Sequence, residues 1–533
     1  MSVQSSLPRT ARPVLLAGAV ALPLCVLFVF AMPLLGTDLA AQVARGHFLK
    51  NYGWGPVDFR WYGGVSQPGY SLISPLSTAM LGSRGTGAVC TVIGALAFAY
   101  LLVRGGARNP TIGGALGALG QVLNLMSGRI TFALGLTLGL LATAAYATPQ
   151  LRRARLPVAG AMALLATAGS PIAGLFVGLV AVALMITRRW DAWWLAAGAA
   201  VPMGLIVLFS DGGHQPFPRL PFLAALAECL LVMALVPARY RVVRVAAALS
   251  AFGVLAAYFV DTPVGSNSVR LAMVFGPALV GALARPRWFG VAFILVALYW
   301  WEAPGLIADL TDADHAASTH RPFYTPLIDE LHRRGPIGRI EVVPLRDHWE
   351  ATYIAEAVPI ARGWERQVDT ERNPIFYDGT LDATTYRQWL DDNAVSYVAV
   401  SDTQLDSYAK DEAALVRQGL PYLVRRWTGP HWTLYEVLNP SPLVDGATLV
   451  SSGARGVVLR VTKVQPVVVR VRWSRWLTVE GPDSDSDSPD GCLAASGEWT
   501  ELYPTRTGEY TITSALNVKD SASCDNNSTD GGG

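Results

Sequence analysis

Lysine is almost missing from this chain: Lys50, Lys410, Lys463 and Lys519 are the four among 533 residues. Charge of any sign is scarce, at 15%, where soluble globular proteins carry roughly a quarter. That shortage excludes an ordinary soluble protein. A formal net charge of +2, with no basic patch interleaved with aromatics, gives no argument for nucleic-acid binding. The P-loop, GxSxG and HExxH motifs, and GxGxxG in its required strand–turn–helix context, are also absent, so soluble-enzyme templates fail. No CxxC or Cys/His spacing marks a metal site. There are five cysteines. Cys25, Cys90 and Cys229 lie in apolar runs and read as small core residues. Cys492 and Cys524 lie in the polar C-terminal part and are disulfide candidates if that part is outside the cytoplasm.

What the chain has in quantity is apolar residues, 52% of the total, with mean hydropathy +0.34. They gather into runs at about 13–35, 86–103, 110–126, 130–148, 156–169, 171–187, 192–209, 219–236, 242–260, 269–284 and 288–302. A bilayer needs about 20 apolar residues per helix. The pattern predicts a polytopic α-helical membrane protein of about eleven spans. The first run is too long for a signal-peptide core, and more spans follow it.

Arginine sets the orientation, because cations accumulate on cytoplasmic loops. With the N-terminus inside, the inner loops hold Arg104 and Arg108; Arg152, Arg153 and Arg155; Arg188 and Arg189; Arg239, Arg241 and Arg244; and Arg285 and Arg287. The short outer loops hold Arg129, Arg219 and Arg270, one each. The alternation requires a hairpin at Gly169-Ser170-Pro171. It places a long first loop, 36–85, outside, together with everything after residue 302. The expected site is a plasma membrane, crossed many times, with the C-terminal domains extracytoplasmic.

Beyond 302 the composition changes. A polar linker, 303–320, leads to alternating strand-like and helix-like runs over 321–440, read as an α/β domain, with Asp382 as the N-cap of a helix. Residues 445–518 alternate β-branched and polar residues and read as a small sandwich. The acidic run 483–490 is a solvated loop, and 519–533 has the composition of a disordered tail.

Several residues can carry chemistry. Asp38 follows the first span by a few residues, either as N-cap of an interfacial helix or as a general base for an acceptor hydroxyl. Arg129 and Arg270, at outer helix ends, suit a lipid phosphate, or snorkel to the headgroups. In the first loop Asp58, Trp61 and Tyr62 either line a sugar site or anchor at the interface. His214 lies in an outer loop within reach of a phosphate. Glu228 is the one carboxylate well inside a span, an intramembrane candidate by its cost alone.

With Thr37-Asp38 past the first span, Trp61-Tyr62-Gly63-Gly64, Ser127-Gly128-Arg129 and an outer C-terminal part, the chain resembles the GT-C superfamily of membrane glycosyltransferases, and looks like its actinobacterial members. The resemblance covers about 1–302. It implies a polyprenyl-phosphate sugar donor, a glycan or lipid-linked cell-envelope acceptor, and inverting transfer with Asp38 as base. It also implies that Arg129 and Arg270 hold the donor phosphate. No paired acid stands near Asp38, so no metal or other cofactor is assigned, and a divalent ion stays open. The competing readings are a non-catalytic protein of the same fold and a transporter or flippase. The second is weakened by having only Glu228 near the midplane.

Overall fold

In the computed structural model, residues 11–284, 317–335, 337–482, 491–516 and 523–524 are described. The expected span 288–302, most of the linker, the acidic run 483–490 and most of the tail lie outside them. The chain divides into two compact units, Met1–Gln42 with Pro68–Ala313, and Val43–Gln67 with Asp314–Gly533.

The first unit is helical: α1 (Arg12–Phe30), the start of α2 (Leu39–Tyr52), α3 (Ser74–Arg104), α4 (Pro110–Met126), α5 (Ile130–Tyr146), α6 (Arg155–Gly169), α7 (Pro171–Ile186), α8 (Trp193–Phe209), α9 (Arg219–Leu235), α10 (Arg241–Phe259) and α11 (Arg270–Leu283). A helix lies at each expected span from the first to the tenth. Among the described residues, five stretches are fit by length and composition to cross a bilayer: Arg12–Phe30, Ser74–Arg104, Trp190–Phe209, Arg241–Phe259 and Gly265–Leu283. The others are shorter or bent; Ile130–Tyr146 and Pro149–Gly169 meet at 113°.

The packing is inverted relative to a soluble bundle. On α1 the buried residues include Ala17, Ala21 and Cys25, whereas Leu15, Leu22, Val26 and Phe30 are exposed. On α8 and α10, Val207, Leu208, Phe252 and Phe259 are also exposed. Small residues let helix backbones approach, and large apolar ones face lipid. Gly135 shows the close approach: a Cβ there meets Ser170 Cβ at 2.6 Å and the Ala166 carbonyl oxygen at 2.9 Å. The expected break at Gly169-Ser170-Pro171 is present. Ser170 ends α6 and caps α7, its hydroxyl accepting from the Ala173 N–H.

One boundary differs. The second span was expected from 86, but α3 begins at Ser74. Pro75 suits the first helical turn, and Gly82 (φ 70°) breaks the helical geometry within it. The polar turn 74–82 therefore extends a helix that hydropathy alone starts later.

The second unit takes in 43–67 of the expected first loop. This segment supplies a two-stranded ribbon, β1 (Val57–Asp58) and β2 (Val65–Ser66). Trp61 pairs with Ile360 as a parallel bridge, and the Phe59 N–H donates to the Ala454 carbonyl. Val57 and Phe59 enter the β-rich core. Tyr62, Gly63 and Gly64 follow one another at φ 55°, 74° and 124°, a left-handed run that the two glycines make cheap.

The α/β part has one four-stranded sheet, ordered β3 (Arg339–Val342), β4 (Val395–Ser401), β6 (Trp432–Val437), β5 (Leu423–Gly429). β3 and β4 run parallel, and the other pairs are antiparallel. Asp382 caps its helix through the N–H groups of Thr384 and Thr385, as a capping box with Thr385. Between β3 and β4, Glu350–Tyr353 forms a single helical turn.

The β-rich part is a pair of four-stranded sheets. Strands β7 (Val444–Asp445), β8 (Thr448–Gly453), β9 (Gly456–Val461), β10 (Val467–Arg472), β11 (Leu477–Glu480), β12 (Gly491–Ser496), β13 (Trp499–Pro504) and β14 (Gly508–Ser514) order as β12-β13-β10-β7 and β11-β14-β9-β8. Val469 and Leu502 from one sheet share a core with Leu459 and Ile512 from the other. Cys492 and Cys524 form a disulfide.

Candidate functional site

In the first unit, three loops meet around Asp38. Asp38 directly precedes α2, and the Leu39 N–H donates to the Gly36 carbonyl. Gly36 (φ 90°) lies so close to the 127–128 turn that a Cβ on it meets the Ser127 carbonyl carbon and oxygen at 2.3 Å. Gln42, one turn into α2, completes the clasp. Its amide nitrogen donates to the Gly128 carbonyl at 2.6 Å, and its amide oxygen accepts from the Thr131 N–H at 2.6 Å. The backbone on both sides of Arg129 is thus fixed to the helix that Asp38 begins.

Arg270 opens α11 and faces Asp38 with its guanidinium nitrogen 3.6 Å from Oδ2. The same guanidinium lies over the Phe132 ring, 5.3 Å from its centre. The Asp38 side chain is 34% exposed and that of Arg270 16%. A carboxylate and a planar cation therefore share a half-open site. The cation is oriented by an aromatic face, and the carboxylate is accessible to an incoming hydroxyl. Arg129 is half-buried at the start of α5. Gln42 and Phe132 are the residues that reading the sequence missed. A glutamine four positions after Asp38 on a helix is the only signal it left, and Phe132 left none.

His214 sits in the loop before α9. Its neighbour Gln215 donates its N–H to the Thr262 carbonyl, and its amide nitrogen to Ser266 Oγ at 3.3 Å. That ties the loop to the turn leading into Arg270. Glu228 is buried on α9, with Oε1 packed so closely that a Cβ on Gly276 falls 2.1 Å from it.

Asp58, Trp61 and Tyr62 were read either as lining a sugar site or as anchoring at the interface, and their side chains are buried inside the second unit. Asp58 is saturated: it accepts from the Arg60 N–H, from the Arg60 guanidinium and from the Gln67 amide at 2.8–3.2 Å. Trp61 donates its ring N–H to the Ala351 carbonyl at 2.9 Å, and Gly363 packs against its ring. Burial pushes the Tyr62 hydroxyl well above its ordinary value, with Asp369 adding to the shift. The aromatic motif is spent on packing, which sequence cannot distinguish from a stacking platform.

A second polar constellation lies at the ends of β3 and β4. His348 is buried against Trp364, with ring centres 3.3 Å apart. Its Nδ1 is 3.3 Å from Glu350 and its Nε2 is 3.4 Å from Asp406. Burial opposes the imidazolium, but Asp406 and Glu350 outweigh it and hold His348 above its ordinary value. Burial also works against the Asp406 carboxylate, and His348 and Arg366 overcome it, holding Asp406 below the usual range. The linkage follows in sign. The His348 contribution to stability is complete below about pH 6.5 and is lost as pH rises through its raised value. The Asp406 contribution is complete above about pH 4 and is lost as pH falls through its lowered value. Protection of the β4 amides, the exchange rate taken relative to the intrinsic rate at each pH, is expected to be greatest between these limits. His348→Gln should flatten the alkaline limb, and an unchanged limb in that variant would refute the assignment.

Among the described residues no three His, Cys, Asp or Glu side chains converge on a common point.

Residues 445–529 match a family described as a domain of unknown function (DUF8823). No curated protein matches the chain. Among solved structures, ArnT from Cupriavidus metallidurans in the apo state is 14% identical at TM-score 0.43, covering 79% of this chain and 97% of that one. The same protein bound to undecaprenyl phosphate is 13% identical at TM-score 0.43, with the same coverage. The Archaeoglobus fulgidus oligosaccharyltransferase tethered to an acceptor peptide is 12% identical at TM-score 0.40, covering 74% and 69%. At these scores they are likenesses alone.

Proposed function

We propose that the chain is a membrane glycosyltransferase of GT-C type. It moves a sugar from a polyprenyl-phosphate donor to a cell-envelope glycan or lipid-linked acceptor at the outer membrane face. The observation that carries this reading is the accessible Asp38 carboxylate facing Arg270 at 3.6 Å. The carboxylate takes the proton of the acceptor hydroxyl. The hydroxyl oxygen bonds to the anomeric carbon as the bond from that carbon to the phosphate oxygen breaks, so the configuration inverts. The charge that gathers on the departing lipid phosphate is met by Arg270, with Arg129 as a second cation. Before donor binds, Arg270 and Asp38 neutralise each other. A phosphate arriving at Arg270 leaves the carboxylate free to face the acceptor.

The partial exposure of Asp38 favours this over a non-catalytic protein, in which the carboxylate would be closed off as a structural cap. Arg270→Gln is expected to lower kcat/KM for the donor about 10- to 100-fold, mainly through KM, because a charged hydrogen bond contributes about 1.5–3 kcal/mol. The measurement is radiolabelled sugar transfer from a panel of polyprenyl-phosphate donors in membranes. A variant as active as wild type would remove Arg270 from the donor site.

A further inference from the structure

The first unit contains a partly open cavity of about 990 Å³ lined by α3, α5, α7, α9, α10 and α11. That is the upper end of the range for small-molecule sites, about 300–1,000 Å³. Its walls are apolar side chains such as Leu136, Phe176, Val232 and Phe275. Its rim is not. Arg104, Arg155, Arg189, Arg239 and Arg241 all line it, and they come from four different connections. Each of those connections is one that the charge pattern of the sequence puts on the cytoplasmic side.

The rim cations are unequally engaged. Arg155 pairs with Asp191, which also accepts from the Tyr146 hydroxyl at 2.6 Å. Arg104 donates to the Ala147 carbonyl at 3.3 Å, and Arg239 to the Tyr240 hydroxyl at 2.8 Å. Among the described residues Asp191 is the sole acidic group on the rim, so there positive charge exceeds negative by four. Deeper in, Glu228 lines the same cavity at 6% exposure, and its Oε1 has no hydrogen-bond partner among the described residues.

We infer that this cavity binds an anionic glycerophospholipid of the cytoplasmic leaflet, with an acyl chain in the apolar bore and the phosphate on the arginine rim. Charge complementarity selects the headgroup: the inner leaflet is the anionic one, and guanidinium groups meet phosphate oxygens through paired donors. The bore selects the chain, since an apolar cavity that opens at a charged rim suits an amphiphile and not a free phosphate. On the reading above a polyprenyl phosphate is a different occupant, because its phosphate sits at Arg270, which is not among the described residues that line this cavity. The choice of a glycerophospholipid over a polyprenyl phosphate rests on that reading.

The test uses the full chain purified in detergent, supplied with phosphatidylglycerol, phosphatidylcholine or undecaprenyl phosphate, and observed intact by mass spectrometry. Two variants separate rim from bore. One is the triple variant Arg189→Ser, Arg239→Ser and Arg241→Ser, which spares the Arg155–Asp191 pair. The other is Ala246→Phe, which fills the bore and leaves the rim untouched. Wild type is expected to retain phosphatidylglycerol over phosphatidylcholine. The triple variant should lose that retention about tenfold or more, since each basic residue near an anionic surface is worth roughly fivefold. Ala246→Phe should lose it as well. Retention unchanged in the triple variant overturns the inference. Loss in the triple variant with full retention in Ala246→Phe also overturns it, because the lipid then sits on a charged surface outside the bore. Preferential retention of undecaprenyl phosphate, lost in either variant, assigns the cavity to the donor instead.

Discussion

Asp38→Asn is expected to lower sugar transfer by about two to four orders of magnitude, the usual contribution of a positioned general base. The change nearly preserves size and shape. It leaves the clasp intact, because Gln42 reaches the Asp38 backbone carbonyl, the Gly128 carbonyl and the Thr131 N–H, and none of these needs the carboxylate. Donor binding should persist, since Arg270 remains and loses only a neutralising partner. The assay is transfer from polyprenyl-phosphate donors in membranes carrying matched amounts of each protein. Equal activity in the two proteins would place the base elsewhere. No transfer by wild type over a broad donor panel would instead favour a non-catalytic role. The loss should fall on kcat more than on donor KM, which separates it from the pattern expected for Arg270→Gln.

Arg362→Leu is expected to destabilise the second unit by about 3–5 kcal/mol, the cost of stranding buried charge. Arg362 donates to Glu341 at 2.8 and 2.9 Å and also to Glu412, while Asp369 stands 3.9 Å away. Its guanidinium lies over the Phe376 ring at 3.7 Å. Glu412 accepts a further hydrogen bond from the Tyr386 hydroxyl at 2.9 Å. Removing the cation leaves two fully buried carboxyl groups facing each other. Adding Glu341→Gln and Glu412→Gln should recover much of the loss, because the penalty comes from uncompensated charge and not from volume. Hydrogen-exchange protection of β3 and β4 reads both effects. Protection in Arg362→Leu equal to wild type would mean the cluster contributes little.

The helical architecture was legible because lipid imposes a one-dimensional constraint: a span must be apolar over a fixed length. The rim of the cavity collects arginines from connections that the sequence had already grouped together. The site was legible only as positions. Asp38 and Arg270 could each be placed at a helix end, but their 3.6 Å approach depends on packing that no local pattern records. Gln42 was easily passed over for a different reason, since α2 also carries Arg45, His47, Lys50 and Asn51 and one more polar residue attracts no notice. The second unit hid more. β3 alternates Arg339, Ile340, Glu341 and Val342, which reads as a strand with one wet face, yet all four are buried. A strand paired in parallel and covered on both sides loses its alternation of environment. The partners that make its charges tolerable come from far along the chain.

The membership of 43–67 in the second unit has a consequence for the order of synthesis. Val57, Phe59 and Trp61 leave the ribosome early, but the sheet and sandwich that bury them are encoded after residue 320. At roughly 5–20 residues per second, the segment waits about ten seconds or more for its partners. During that interval several large apolar side chains have no permanent cover. A nascent chain stopped before residue 320 cannot supply it. The C-terminal part released alone, beginning at 317, lacks the ribbon that fills part of its core. The two distant stretches form one folding unit, and neither is expected to reach the native arrangement without the other.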